Sequence, residues 1–195
     1  MEMKPNTDSS NDVIKEIASH YAEIIRLIGE DPTREGLVDT PMRAAKALYY
    51  VTRGYRQNIN DVIHGALFEA PGSGMIVVRD IEFYSLCEHH ILPFFGTVSV
   101  GYLPGKKIVG LSKVARIVDV FARRLQVQER FTQQLCDTLF DHLEARGVMV
   151  SCRARHLCMQ MRGVEKQSAS TVTIATRGDF DIDESLRAQF FQAIS

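Results

Sequence analysis

Residues 75–103 read MIVVRDIEFYSLCEHHILPFFGTVSVGYL. The two ends of this stretch, Met75 to Tyr84 and Phe94 to Leu103, are rich in β-branched and aromatic residues. Gly72-Ser73-Gly74 precedes the first and Pro104-Gly105 closes the second, so both read as strands between turn signals. They bracket a polar segment, Cys87 to Leu92. Downstream, Leu111, Val114, Ala115, Val118, Phe121, Ala122 and Leu125 recur at helical spacing. Phe131, Leu135, Leu139 and Leu143 mark a second helix expected to end at Gly147. Two more strands are expected at Val148 to Met161 and Ser168 to Thr176. The order, two strands, two helices, two strands, predicts an α+β domain over 73–195, with helices packed on one face of an antiparallel sheet.

Upstream, Val13, Ile14, Ile17, Tyr21, Ile24, Ile25 and Ile28 form an amphipathic helical stripe that ends near Gly29. Asp31 to Gly36 reads as a turn. Thr40-Pro41 is an N-cap followed by proline at the first helical position, opening a second helix to about Arg53. Residues 54 to 74 read as loop with a short helix, so 1–72 are expected to form an N-terminal helical region.

The 195 residues are 45% hydrophobic, enough for a substantial core. A formal net charge of −1 argues against a nucleic-acid binder, which needs a cationic excess to neutralise phosphates. Any anion site must therefore be local. No apolar run approaches the roughly 20 residues that cross a bilayer, and Met1 to Asn11 is polar, without a signal-peptide core. A cytoplasmic location is the expectation, with Cys87, Cys136, Cys152 and Cys158 as thiols or metal ligands rather than disulfides.

Cys87-Glu88-His89-His90 places a thiolate and an imidazole three residues apart, able to reach one ion from a turn. His156 and Cys158, two apart in an expected strand, would share a face with Gln160 and Arg162, leaving Leu157, Met159 and Met161 on the apolar face. Cys87, His90 and Cys158 make a Cys2His set that suits tetrahedral zinc and leaves one position open to water. An open position points to catalysis, since zinc lowers the pKa of its water toward ~7. The competing structural reading is a closed Cys2His2 site completed by His89 or His156. Selectivity in a cell depends on availability as well as affinity, so iron and manganese compete for the same donors.

Two further groups offer anion binding. Ser112 reads as the N-cap of a helix whose first turn carries Lys113 and Arg116, cations that oppose the dipole unless they join the free N–H groups in holding a polyanion. Arg43 and Lys46 lie three apart on one helical face. Either group is also readable as a solvated surface. Gln128-Glu129 opens the next helix, where a carboxylate favours the dipole.

Taken together, Cys87-Glu88-His89-His90, the Gly-Leu-Ser-Lys run at 110–113, Gln126 to Arg130, His156-Leu157-Cys158 and Met161-Arg162-Gly163 resemble GTP cyclohydrolase I. Glu30 to Leu37 and Thr40 to Arg43 extend the resemblance over most of the chain from about residue 12. It implies zinc on Cys87, His90 and Cys158, with His89 and His156 as acid/base residues. It implies triphosphate binding by Ser112, Lys113, Arg116 and Arg162, joined by Arg43 and Lys46 from a neighbouring subunit. Glu129 would anchor guanine, Gln128 would lie beside the reacting water, and Ser112 would relay a proton during ribose rearrangement. The implied reaction opens the imidazole ring of GTP, releases formate and rebuilds a dihydropterin, the first step of folate and pterin biosynthesis. The implied assembly is of the tunnelling-fold type: sheets joined into a barrel, and two fivefold rings making a homodecamer with sites at subunit interfaces.

Three alternatives compete. A nitrile reductase of the same fold would use a cysteine nucleophile without zinc, which Cys-Glu-His-His with His-x-Cys disfavours. A zinc deaminase would show H-x-E with P-C-x-x-C, which is absent. A structural-zinc interaction module leaves His89, Lys113 and Arg162 without a purpose.

Overall fold

The computed structural model describes residues 10–195; Met1 to Ser9, most of the polar N-terminal stretch, lie outside the described residues. The chain divides into two compact units after Thr52. In the first, α1 (Ser10–Leu27) and α2 (Thr40–Val51) pack on each other, burying Ala18, Ile25 and Ala45. The connecting turn is closed by Asp31, whose Oδ1 accepts from the backbone and hydroxyl of Thr33 at 2.9 and 2.7 Å. Pro41 sits in the first turn of α2, where its missing N–H costs nothing.

The second unit begins with a 3-10 turn (Arg53–Arg56) and α3 (Ile59–Ile63). Two three-residue strands, β1 (Leu67–Glu69) and β4 (Lys107–Val109), then pair as an antiparallel ribbon. They are too short to show a period; the sequence reading takes β1 within the loop and short helix of 54–74 and assigns nothing to residues 107–109. The main sheet holds β2 (Ile76–Cys87), β3 (Pro93–Leu103), β5 (Leu125–Gln126), β6 (Gly147–His156) and β7 (Thr171–Gly178) in the order β5-β2-β3-β6-β7. The last four in that order run antiparallel, as expected, but β5 joins β2 in parallel, making the sheet mixed.

Two helices, α4 (Leu111–Ala122) and α5 (Gln128–Leu143), cover one face. Alternation along the strands sends Phe94, Val98, Val100, Val148 and Val150 into the core beneath them. Their odd-parity neighbours Leu103 and Met149 turn to the other face, where they meet Phe180 of α7 (Asp179–Ile182) and Phe190 of α8 (Glu184–Ile194). Helices therefore pack on both faces, not one. The approach is close: a Cβ on Gly101 would lie 2.5 Å from the Phe190 ring.

Helix α5 and strand β6 both end elsewhere than expected. Helix α5 stops at Leu143, because Glu144 adopts a left-handed φ of 47° and Ala145 N donates back to Phe140 O. Gly147 instead opens β6. Strand β6 stops at His156 rather than continuing to Met161, and residues 157–160 form a single helical turn, α6 (Leu157–Gln160). His156 pairs with Phe94, so Leu157 would face Pro93, which has no N–H to extend the ladder.

Candidate active site

Cys87 is the last residue of β2, and a tight turn follows it. Ile91 N donates to Cys87 O at 2.9 Å and Cys87 N to Leu92 O at 2.8 Å. Ile91 takes a φ of 55°, a left-handed conformation that a β-branched residue adopts only under constraint. The turn brings His90 back over Cys87, with Nδ1 3.6 Å from Sγ. Cys158, in α6, completes the group: the donor atoms of Cys87, His90 and Cys158 all lie within 4.8 Å of one another.

This set fits a metal. Two sulfurs on a tetrahedral zinc at about 2.3 Å stand about 3.8 Å apart, so the cluster needs only a small contraction to close on an ion. Burial raises the Cys158 thiol, reinforced by the adjacent Cys87. Coordination reverses that preference, because a ligating thiol loses its proton. Cys158 reaches the cluster from a helical turn. The expectation that it shares a strand face with His156, Gln160 and Arg162 is therefore incorrect, as is the apolar face opposite: Met161 is 61% exposed and Gln160 is buried.

His156 stacks face to face on Phe94, with centroids 4.6 Å apart and planes at 3°. Its Nε2 lies 2.8 Å from Gln128 Oε1. Burial lowers its pKa, opposed by the carboxylate of Glu129, which is exposed in the first turn of α5. His89 is exposed and its ring stands 6.2 Å from that of His90. Arg162 donates to His90 Nε2 at 3.1 Å, bringing an exposed guanidinium to the cluster.

Ser112, Lys113 and Arg116 lie at the start of α4, Lys113 half-buried and the other two exposed. Ser112 is not the N-cap. That position belongs to Gly110, whose N–H is held by Ala66 O at 3.1 Å, so the helix begins before Ser112. Arg43 and Lys46 are exposed on α2 in the other compact unit, and Arg43 pairs with Asp39 at 3.0 Å.

Sequence reading misses three supports. Glu88 pairs with Arg130 of α5, whose hydrogen bond holds its carboxyl below the usual glutamate range. Both residues stand in quoted motifs, and only their opposite charges signalled the link. Phe94 beneath His156 and the Thr132 and Thr173 hydroxyls near Gln128 carried no signal. Cys136 and Cys152 are buried free thiols pushed up to about 12, mainly by burial, and so are inert at neutral pH.

The sequence profile of the GTP cyclohydrolase I family matches residues 17–195. A GTP cyclohydrolase 1 of Campylobacter jejuni is 52% identical over 172 residues, 88% of this chain and 90% of the relative. One from Leptospira biflexa is 54% identical over 172 residues, covering 88% and 94%. One from Pseudomonas aeruginosa is 51% identical over 178 residues, covering 91% and 98%. With a family profile spanning nearly the whole chain, and relatives this similar over nearly their whole lengths, the chain belongs to the GTP cyclohydrolase I family.

Proposed function

We propose that this chain is a zinc-dependent GTP cyclohydrolase that opens the imidazole ring of GTP, releases C8 as formate and forms 7,8-dihydroneopterin triphosphate. The observation that carries the reading is the three-donor cluster of Cys87, His90 and Cys158 close to a histidine held by Gln128. Cys87, His90 and Cys158 would hold zinc, which would supply the Lewis acidity that makes a water nucleophilic at neutral pH.

His89 donates a proton to purine N7 and so makes C8 electrophilic; its exposure suits a group that must meet substrate. Gln128 orients the hydrolytic step. His156, whose pKa burial lowers, accepts and returns the proton of the second hydrolysis that frees formate. Ser112 relays a proton during the ribose rearrangement. The Glu129 carboxylate accepts hydrogen bonds from the guanine edge.

Lys113, Arg116 and Arg162 bind the triphosphate, with Arg43 and Lys46 supplied by a neighbouring subunit. A polyanion needs this many cations, and a chain of near-neutral charge assembles them by sharing between copies. A homodecamer of two pentameric rings, located in the cytoplasm, fits that sharing. No helix among the described residues is long and apolar enough to cross a membrane.

The test is to incubate zinc-loaded protein with GTP and to measure formate together with pterin fluorescence after oxidation, beside a His89→Ala control. The reading predicts both products from the parent and neither from the variant. Formate without pterin would place the chain among other ring-opening enzymes, and no product from folded, zinc-containing protein would refute the reading.

A further inference from the structure

The loop between α6 and β7, residues 161–170, carries Arg162 and is exposed throughout 161–168. Its apolar side chains Met161 and Val164 are 61% and 60% exposed, so hydrophobic burial does not hold it. Yet Gly163 and Glu165 both take left-handed conformations, with φ of 70° and 52°. A glutamate keeps that conformation only where its surroundings impose it.

The constraint lies at the base of the loop. Gln160, 7% exposed, donates from Nε2 to Gln167 O at 2.8 Å. Gln167 in turn donates from its Nε2 to Gln160 O at 2.7 Å. Each side chain thus closes on the backbone of the other residue, and because carbonyl oxygens only accept, both amides present their NH2 ends. Two further bonds lie alongside: Lys166 N to Met159 O at 3.0 Å, and Arg155 Nη2 to Gln167 O at 2.8 Å. Lys166, Met159 and Arg155 are all exposed, so water competes for those bonds and their net contribution is small. Gln160 is buried, and its amide nitrogen and backbone oxygen both find their partner on Gln167. Opening that pair would leave buried polar atoms to bear their desolvation cost. Two residues beyond Gln160, Arg162 Nη1 lies 3.1 Å from His90 Nε2, so the same loop base sets where the guanidinium begins its reach to the cluster.

We propose that Gln160 and Gln167 are positioning residues for substrate: their reciprocal bonds clip the loop so that the Arg162 guanidinium stands beside the Cys87, His90 and Cys158 cluster to meet the triphosphate. This rests on the phosphate-binding role of Arg162 proposed above. Neither glutamine touches substrate in this scheme; both act through Arg162.

The experiment uses the full-length, zinc-loaded protein. A Gln160→Met/Gln167→Met double variant keeps side-chain length while removing both donors. It is expected to raise KM for GTP about tenfold, with kcat unchanged within about twofold. In an Arg162→Ala background the same pair is expected to change KM by less than about twofold, because the loop then has no guanidinium to place. Hydrogen exchange read by mass spectrometry is expected to quicken about tenfold or more in peptides covering 161–167, with β6 and β7 at parental rates. Parental KM in the double variant, an equal KM loss with and without Arg162, or unchanged exchange in the loop overturns the proposal. If the double variant fails to fold, Gln167→Met, a change at an exposed side chain, carries the same three readings. Parental KM in Arg162→Ala would instead refute the phosphate role of Arg162, and the exchange reading, which needs no substrate, separates that failure from a failure of the clip.

Discussion

Replacing Phe94 by leucine tests whether the core beneath the site also governs the chemistry. Phe94 is fully buried and makes two ring contacts: the parallel stack on His156 at 4.6 Å, and an edge contact with Phe83 at 5.8 Å and 74°. Aromatic pairs contribute about 0.5–1.5 kcal/mol each beyond area burial. Leucine removes both and leaves part of the ring volume empty, so a stability loss of about 2–4 kcal/mol is expected. Only the His156 contact bears on turnover. Losing its orienting energy of about 0.5–1.5 kcal/mol lowers kcat by about twofold to twelvefold. Thermal unfolding and formate release, measured on one preparation with zinc content checked at one ion per chain, separate the two effects. A variant with the expected stability loss but parental kcat would refute the orienting role and leave Phe94 as packing alone.

Gly96→Ala should abolish soluble protein, since its Cβ would lie 1.9 Å from Arg153 O and break the pairing of β3 with β6; expression yield and circular dichroism check this. Asp183 caps α8 by accepting from the backbones of Ser185 and Leu186, and the Ser185 hydroxyl, followed by these backbone bonds, holds its carboxyl below the ordinary aspartate value. Its contribution is therefore complete above the unfolded pKa and is lost as pH falls through the lower folded value. The Tm difference between the parent and Asp183→Ala should be full at about pH 6 and close below about pH 4. After zinc is stripped by a chelator, iodoacetamide at about pH 8 should label Cys158, which is half-buried, ahead of Cys136 and Cys152, which stay unlabelled until denaturation. Peptide mass spectrometry reads the order.

Local patterns exposed most of the framework. The two long strands and both covering helices were visible because their apolar residues repeat at periods of two and 3.6. Cys87 and His90 were legible because three residues of sequence and one tight turn suffice to bring them together. Strand parity sets Cys158 beside His156 on one face, whereas Pro93 ends the ladder and a helical turn delivers the thiol instead; the His156-Leu157-Cys158 motif points to the same donor without that parity. No single-strand pattern carries the information that Leu157 would face Pro93, because the fact belongs to the register of a distant pair. The same limit hid β5, two residues paired in parallel to β2, and the convergence of Thr173 with Gln128 across the β6–β7 pairing. Ser112 was misplaced as a cap because its side chain suits the position, while the helix start is set by Gly110 and its bond to Ala66.

On the proposed function, GTP is opened at the Cys87, His90 and Cys158 cluster. Zinc content and formate release should be measured together on the parent and on Cys158→Ala, both confirmed folded. One zinc per chain with formate from the parent, and loss of both in the variant, is the result expected. Undiminished formate release from Cys158→Ala would place the chemistry elsewhere in the molecule.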